Sequence, residues 1–293
     1  MKGLARLGHW TAGVFLVALC SVAKAEDVPA KQLFGHATHA AALVPEPIGY
    51  YSKGCLAGAQ ALPADGPHWQ AMRPSRNRNW GHPALISFLE RFASAGAQAS
   101  GWPGLLIGDM AQPRGGPMLT GHASHQLGLD ADIWFRPMPV ERMTPSERDK
   151  LSSVSLVRAD RLDIEHGTWT PAHAAVLQTA ASDAAVQRIF VNPAIKKALC
   201  ASEKGAAWLR KIRPEYGHDY HFHVRLHCPP GATLCEAQDP TPEGDGCDAS
   251  LDWWFTQEAL HPKPALPPAP LTLAKLPPAC VAVLNAGMEK RRP

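Results

Sequence analysis

Between His221 and His227 apolar and polar positions alternate strictly: His221, His223, Arg225 and His227 share one parity, and Phe222, Val224 and Leu226 share the other. A strand sends alternate side chains to opposite faces, so the segment predicts a strand with an apolar face on a core and a basic, imidazole-rich face toward a cleft. Its same-face neighbours His221 and His223 lie roughly 6–7 Å apart along such a strand. Elsewhere the pattern changes period. Leu85, Phe88, Leu89 and Phe92 form one stripe of a helix. "GLLIGDM" (104–110) reads as a strand, "AQPRGGPMLTGHASHQLG" as a long glycine-rich loop, and "LDADIWF" (129–135) as a second strand. Thr144-Pro145-Ser146-Glu147 is a capping box with proline at the first helical position, and it starts a short helix. A helix in 171–186, a strand "RIFVN" (188–192) and helices started by Asn192-Pro193 and covering 205–213 lead back to the histidine strand. Strands and helices mix without regular alternation, which predicts an α+β fold.

Composition changes the picture at the two ends. Lys2 and Arg6 precede an apolar run from Trp10 to Val22, too short to span a bilayer, and Ala23-Lys24-Ala25 is an A-x-A cleavage site. Residues 1–25 are therefore expected to be a signal peptide, and 26–293 a single exported domain with no membrane span. A lipoprotein reading centred on Cys20 is opposed by the bulky Leu19 before it. Removing Lys2, Arg6 and Lys24 from 29 basic residues leaves 26, against 26 acidic ones, so the exported chain is formally neutral. That withdraws any global electrostatic argument for nucleic acid. Seven prolines in 262–278 predict an extended tail, and Cys280 beyond it suggests that the tail is pinned to the body. Six cysteines follow the leader: Cys55, Cys200, Cys228, Cys235, Cys247 and Cys280. An even count in an exported chain reads as three disulfides; zinc-binding thiolates are the alternative, and none of the six forms C-x-x-C. The cysteine pattern itself leaves 15 pairings open.

Candidate chemistry gathers in two segments. Four of the 14 histidines fall in 217–228, and "GHASHQLGLDADIW" (121–134) offers His122, His125, Asp130 and Asp132. A catalytic zinc takes three protein ligands from histidine and carboxylate and leaves a fourth position open. The loop and the H-x-H strand together supply that inventory. Taken singly, His122 is as well a loop hydrogen-bonder, Asp130 a strand-end cap, and H-x-H a solvated polar face. Serine chemistry finds little support: S-x-x-K occurs only at Ser21–Lys24, inside the leader, and neither G-x-S-x-G nor H-E-x-x-H is present. Arg76, Arg78 and Arg225 are candidates to pair substrate carboxylates, with a solvated basic loop as the alternative.

His125–Asp132 in H-x6-D spacing, with H-x-H at His221–His223, resembles the zinc signature of lysostaphin-type, D-Ala-D-Ala-type and hedgehog-like metallopeptidases. More narrowly, "SRNRNWGHP", "QPRGGPMLTGHASHQLGLDADIW", "RIFVNPAIK" and "HVRL" resemble the penicillin-insensitive murein endopeptidase family over nearly all of the exported chain. The resemblance implies an α+β fold in which a small antiparallel sheet carries the zinc site, among helices and long loops braced by disulfides. It implies a periplasmic enzyme that cleaves peptide cross-links of peptidoglycan, at both D-alanyl–diaminopimelate and diaminopimelate–diaminopimelate bonds. Carried over by motif, the zinc ligands are His125, Asp132 and His223, with His221 as the unliganded catalytic histidine. His122 matches a further histidine at the metal, and His218 one lining the site. An Asp three residues before a His contacts another metal in the family; Asp160 with Asp163 is the nearest match read here, with aspartate in place of the histidine. The implied disulfides are Cys55–Cys280, Cys200–Cys247 and Cys228–Cys235. Two rivals remain at this stage: an exported zinc D,D-carboxypeptidase or dipeptidase on the same scaffold, and a periplasmic metal carrier without catalysis.

Overall fold

The alternating segment becomes the strand His221–Leu226, and every one of its six residues is buried. In a computed structural model, which describes residues 28–264, 266 and 269–287, it is the third strand of a seven-stranded mixed sheet. The order across that sheet is Ile212–Pro214, Val186–Val191, His221–Leu226, Asp130–Pro137, Leu105–Ile107, Trp69–Ala71, Asp65–Gly66. The histidine strand pairs antiparallel with both neighbours, Asp130–Pro137 on one side and Val186–Val191 on the other. The site-bearing strands are thus antiparallel, as the resemblance implies. Parallel pairings occur further out, between Ile212–Pro214 and Val186–Val191 and between Trp69–Ala71 and Leu105–Ile107. The leader expected at 1–25 lies outside the described residues.

One face of this sheet is covered by apolar packing. Phe222, Val224 and Leu226 point away from the histidines and join Ala131, Ile133 and Phe135 of the neighbouring strand in the main core. Against them lies the helix Pro83–Ser100, which buries Leu85, Ile86, Phe88, Leu89, Phe92 and Ala93. The Phe92 and Phe222 rings meet edge to face at 6.3 Å, a favoured aromatic arrangement. The helix starts where Pro83 can spend its missing N–H at no loss and the His82 ring accepts from Ala84 N. It stops at Gly101, which takes the left-handed conformation that glycine enters without a Cβ clash. A second helix, Pro171–Ser182, packs on it. The Thr144–Glu147 capping box forms with both of its reciprocal hydrogen bonds.

One stretch differs from the sequence expectation. Residues 205–213 form a 3-10 turn, Ala207–Lys211, and then the edge strand Ile212–Pro214 rather than a helix. Pro214 and its paired neighbour strand favour extended backbone there. The glycine- and proline-rich 47–81 region contains a hairpin, Glu46–Tyr50 with Lys53–Ala57, followed by strands of two or three residues. A smaller core joins the two chain ends: Ala30, Phe34, Ile48 and Cys55 pack with Leu273, Leu276, Cys280 and Val283. Three disulfides form, Cys55–Cys280, Cys200–Cys247 and Cys228–Cys235, the pairing that the resemblance implies. The first of them pins the segment after the proline-rich tail to the body.

Candidate metal centre

Register builds the site. On paired strands His223 stands opposite Asp132 and Arg225 opposite Asp130, so both pairs project from the same face. The loop that precedes the aspartates folds back over them. It can do so because Gly128 turns with φ 66°, at a place where a Cβ would run into the Leu56 side chain and the His82 backbone. His125 itself is a non-glycine residue at φ 66°, a costly backbone state, and a buried hydrogen bond from its N–H to Asp130 Oδ2 (3.1 Å) holds it there.

Three imidazoles converge on one oxygen. Asp132 Oδ1 lies 3.3 Å from His125 Nε2, 3.5 Å from His223 Nδ1 and 3.6 Å from His221 Nε2. His122 Nε2 is 3.5 Å from the other oxygen, Oδ2. None of the contacts to Oδ1 has hydrogen-bond geometry: Asp132 Oδ1 and both ring nitrogens of His125 are buried without a hydrogen-bond partner among the described residues. Buried polar atoms are nearly always paired, because an unpaired one forfeits its hydration. A cluster of orphaned donors and acceptors of this chemistry fits a cation. Among the described residues, His122, His125 and Asp132 offer ligand atoms within 4.8 Å of one another.

Asp130 organises the cluster from behind. Its Oδ1 accepts from His223 Nε2 at 2.9 Å and from Arg225 Nε at 2.7 Å, and the residue is fully buried. That hydrogen bond occupies Nε2 of His223 and leaves Nδ1 facing Asp132. Arg225 is in turn sandwiched between the Tyr51 and Phe190 rings, 4.2 and 5.2 Å from their centroids. Burial alone would raise the Asp130 carboxyl, but Arg225 and then His223 outweigh it and hold it well below the carboxylate range. Asp132 is likewise lowered, with burial overcome by the surrounding imidazoles. Burial pushes His223 down to about 3 and His218 down to about 4, and it lowers His221, so the three rings are neutral near pH 7.

The cleft above the cluster, of about 190 Å³, is lined by His122, His221, Asp132, Asp109, Arg73 and Arg76 among others. The His218 ring lies 5.1 Å from that of His221 and 5.9 Å from that of His223. Asp109 escaped the sequence reading, which saw only the end of a short apolar strand. Its Oδ2 takes Arg76 at 2.9 Å, Arg78 at 2.8 Å and His122 at 3.1 Å. Burial opposes its ionisation, yet the His122 hydrogen bond and the two guanidinium groups keep its carboxyl at about 2. The polar residue closing "GLLIGD" was the one available signal. Arg78 and Arg225 are committed to internal carboxylates, whereas the Arg76 side chain stays 48% exposed.

Asp160 and Asp163 stand apart from this cluster. Asp160 pairs with Arg158 at 2.6 Å, and Asp163 faces Lys197 at 3.3 Å. The Asp-x-x-His spacing is met in this chain by Asp163 with His166; burial would raise the Asp163 carboxyl, but the Ile164 N–H and Lys197 outweigh it and lower it.

The family model for penicillin-insensitive murein endopeptidase matches residues 47–285. Relatives carrying that name include one from Haemophilus influenzae, 49% identical over 71% of this chain and 73% of its own length. One from Yersinia enterocolitica is 42% identical over 94% and 97%, and one from Klebsiella pneumoniae 45% identical over 81% and 85%. The match takes in both segments of the candidate centre, so this chain belongs to the penicillin-insensitive murein endopeptidase family.

Proposed function

We propose that this chain is a periplasmic, zinc-dependent endopeptidase that cleaves the peptide cross-links of peptidoglycan, at D-alanyl–diaminopimelate and diaminopimelate–diaminopimelate bonds. The relatives' shared name supports the substrate and the reaction. The observation that carries the metal chemistry is the buried, unpaired oxygen of Asp132 with three imidazole nitrogens around it.

His125, Asp132 and the Nδ1 of His223 would hold the ion, with His122 beside them. A zinc ion there would supply Lewis acidity, lowering the pKa of a water from about 15.7 toward about 7. The Asp130–His223 hydrogen bond fixes which nitrogen of that ring faces the site, as carboxylate partners of metal-binding histidines do. Among the described residues no carboxylate is hydrogen-bonded to His221, which lines the cleft. Neutral near pH 7, its ring accepts a proton from the attacking water and returns it to the departing amine.

Incubating the purified protein with cross-linked muropeptide dimers tests the reading. Monomeric products should appear, vanish with a chelator, return with zinc and persist under a β-lactam. Release of terminal D-alanine alone would favour a carboxypeptidase. Full activity in protein shown to be metal-free would overturn the zinc mechanism.

A further inference from the structure

One wall of the cleft carries charge that the proposed chemistry leaves unused. Arg73 and Arg76 line it beside Trp134, Tyr220 and His221. The two arginines sit at the ends of one 3-10 turn, Pro74–Arg76: Arg73 precedes it in the left-handed region at φ 56°, and Arg76 closes it before Asn77, left-handed at φ 52°. Asparagine enters that region readily; arginine occupies it only where its surroundings hold it. Arg73 donates from Nη1 to the backbone oxygen of Asp149, and its guanidinium lies 5.5 Å from the centroid of the Trp134 ring. The Asp149 carboxylate is taken by the N–H and hydroxyl of Ser75. Among the described ion pairs none involves Arg73, whereas Arg76 and Arg78 both pair with Asp109 and Arg225 pairs with Asp130. Trp134 stands opposite His221 across the paired strands, so the Arg73 guanidinium over its ring sits on the same wall as that imidazole.

We propose that Arg73, with the half-exposed Arg76 beside it, is a recognition subsite for a substrate carboxylate adjacent to the scissile bond. The inference rests on the cross-link reading above and specifies it. In a diaminopimelate cross-link the acylated nitrogen is attached to a carbon that also bears a carboxylate, so an anion lies two bonds from the scissile nitrogen. A guanidinium is planar, so the N–H groups of Arg73 that Asp149 does not take lie in one plane, matched to the two oxygens of a carboxylate. The subsite therefore selects a free carboxylate over a carboxamide, which has the same shape and no charge.

Two synthetic cross-linked dimers, identical except that this carboxylate is free in one and amidated in the other, test the subsite with the zinc-loaded enzyme. Wild type is expected to favour the free acid in kcat/KM by on the order of 10–10²-fold, the worth of one charge-assisted hydrogen-bonded contact. Arg73→Asn, which suits the left-handed backbone, should bring that ratio toward one, and Arg73→Lys should leave it in between because the charge stays and the fork is lost. Thermal unfolding and zinc content establish that each variant is folded and loaded. Should Arg73→Asn fail to fold, the intermediate ratio of Arg73→Lys carries the test. Equal cleavage of both dimers by wild type, or an unchanged ratio in Arg73→Asn, overturns the subsite while leaving the cross-link reading intact. Cleavage of neither dimer defeats that reading and the subsite with it.

Discussion

His221 and His223 are separated by one residue, yet their surroundings assign them different work. His223 is fixed by Asp130 through Nε2 and turns Nδ1 to Asp132, whereas His221 has no such tether and faces the cleft. His223→Ala should therefore lose zinc. His221→Ala should retain about one zinc per chain while turnover falls on the order of 10²–10⁴-fold, the usual contribution of a positioned acid–base group. Metal analysis of the two folded variants checks the assignment, and the reverse pattern would exchange the roles. Substitution of Asp130 should affect both stability and metal affinity. In Asp130→Asn the buried Arg225 loses its charge partner and His223 its strong acceptor. Breaking a buried pair costs about 3–5 kcal/mol, and losing such a hydrogen bond behind a ligand lowers metal affinity about 10–100-fold. Urea unfolding read alongside competitive zinc titration measures the two effects; a variant with wild-type values in both would show that Asp130 is incidental.

The elements that hold these residues were legible in the sequence to different degrees, for physical reasons. The histidine strand was readable because one face must be apolar, and the helix at 83–100 because its stripe recurs every three or four residues. The capping box was readable because its hydrogen bonds are local. Strand order was not, since His223 meets Asp130 across 93 residues and nothing in either segment names its neighbour. The two- and three-residue strands of 60–71 are too short for any period, and their place comes from pairing. Asp109 became visible only when the sheet set the end of its strand beside the loop carrying His122. A further consequence at this scale lies in the helix Pro193–Glu203. Lys196 there is fully buried, donating to the backbone oxygens of Leu209 and Asp245, and burial followed by Arg213 pulls it down to about 8. Below that pH the folded chain bears the cost of a buried cation. Between about 8 and the ordinary 10.5 the unfolded chain binds more protons, so stability rises with pH, by on the order of 2–3 kcal/mol by pH 10. Unfolding free energies at about pH 7 and about pH 10 should show this rise relative to Lys196→Met, which has no proton to lose. Parallel curves for the two proteins would contradict it.

At the scale of the whole molecule the centre is drawn from segments far apart along the chain, and its wall, floor and supporting aspartates depend on one sheet. The first and last segments of the described residues are joined by a separate core, and Cys55–Cys280 links positions 225 residues apart. Taken together, the three bridges are nested: of the six cysteines among the described residues, the first joins the last, the second the fifth, and the third the fourth. A chain oxidised in the order in which its cysteines emerge would instead join Cys55 to Cys200 and Cys247 to Cys280. Correct pairing then requires either that Cys55 wait as a thiol until the C-terminal segment has docked, or that early bridges be broken and exchanged. Refolding of reduced protein with oxidised glutathione alone should accordingly yield mixed pairings, and addition of a disulfide isomerase should raise the native fraction, as read by peptide mapping. Equal native yields would mean that the two cores assemble before any sulfur is committed. If the refolding yield does rise with the isomerase, production of this protein depends on thiol reshuffling in whatever compartment folds it, and a cell that can oxidise but not isomerise would make it poorly.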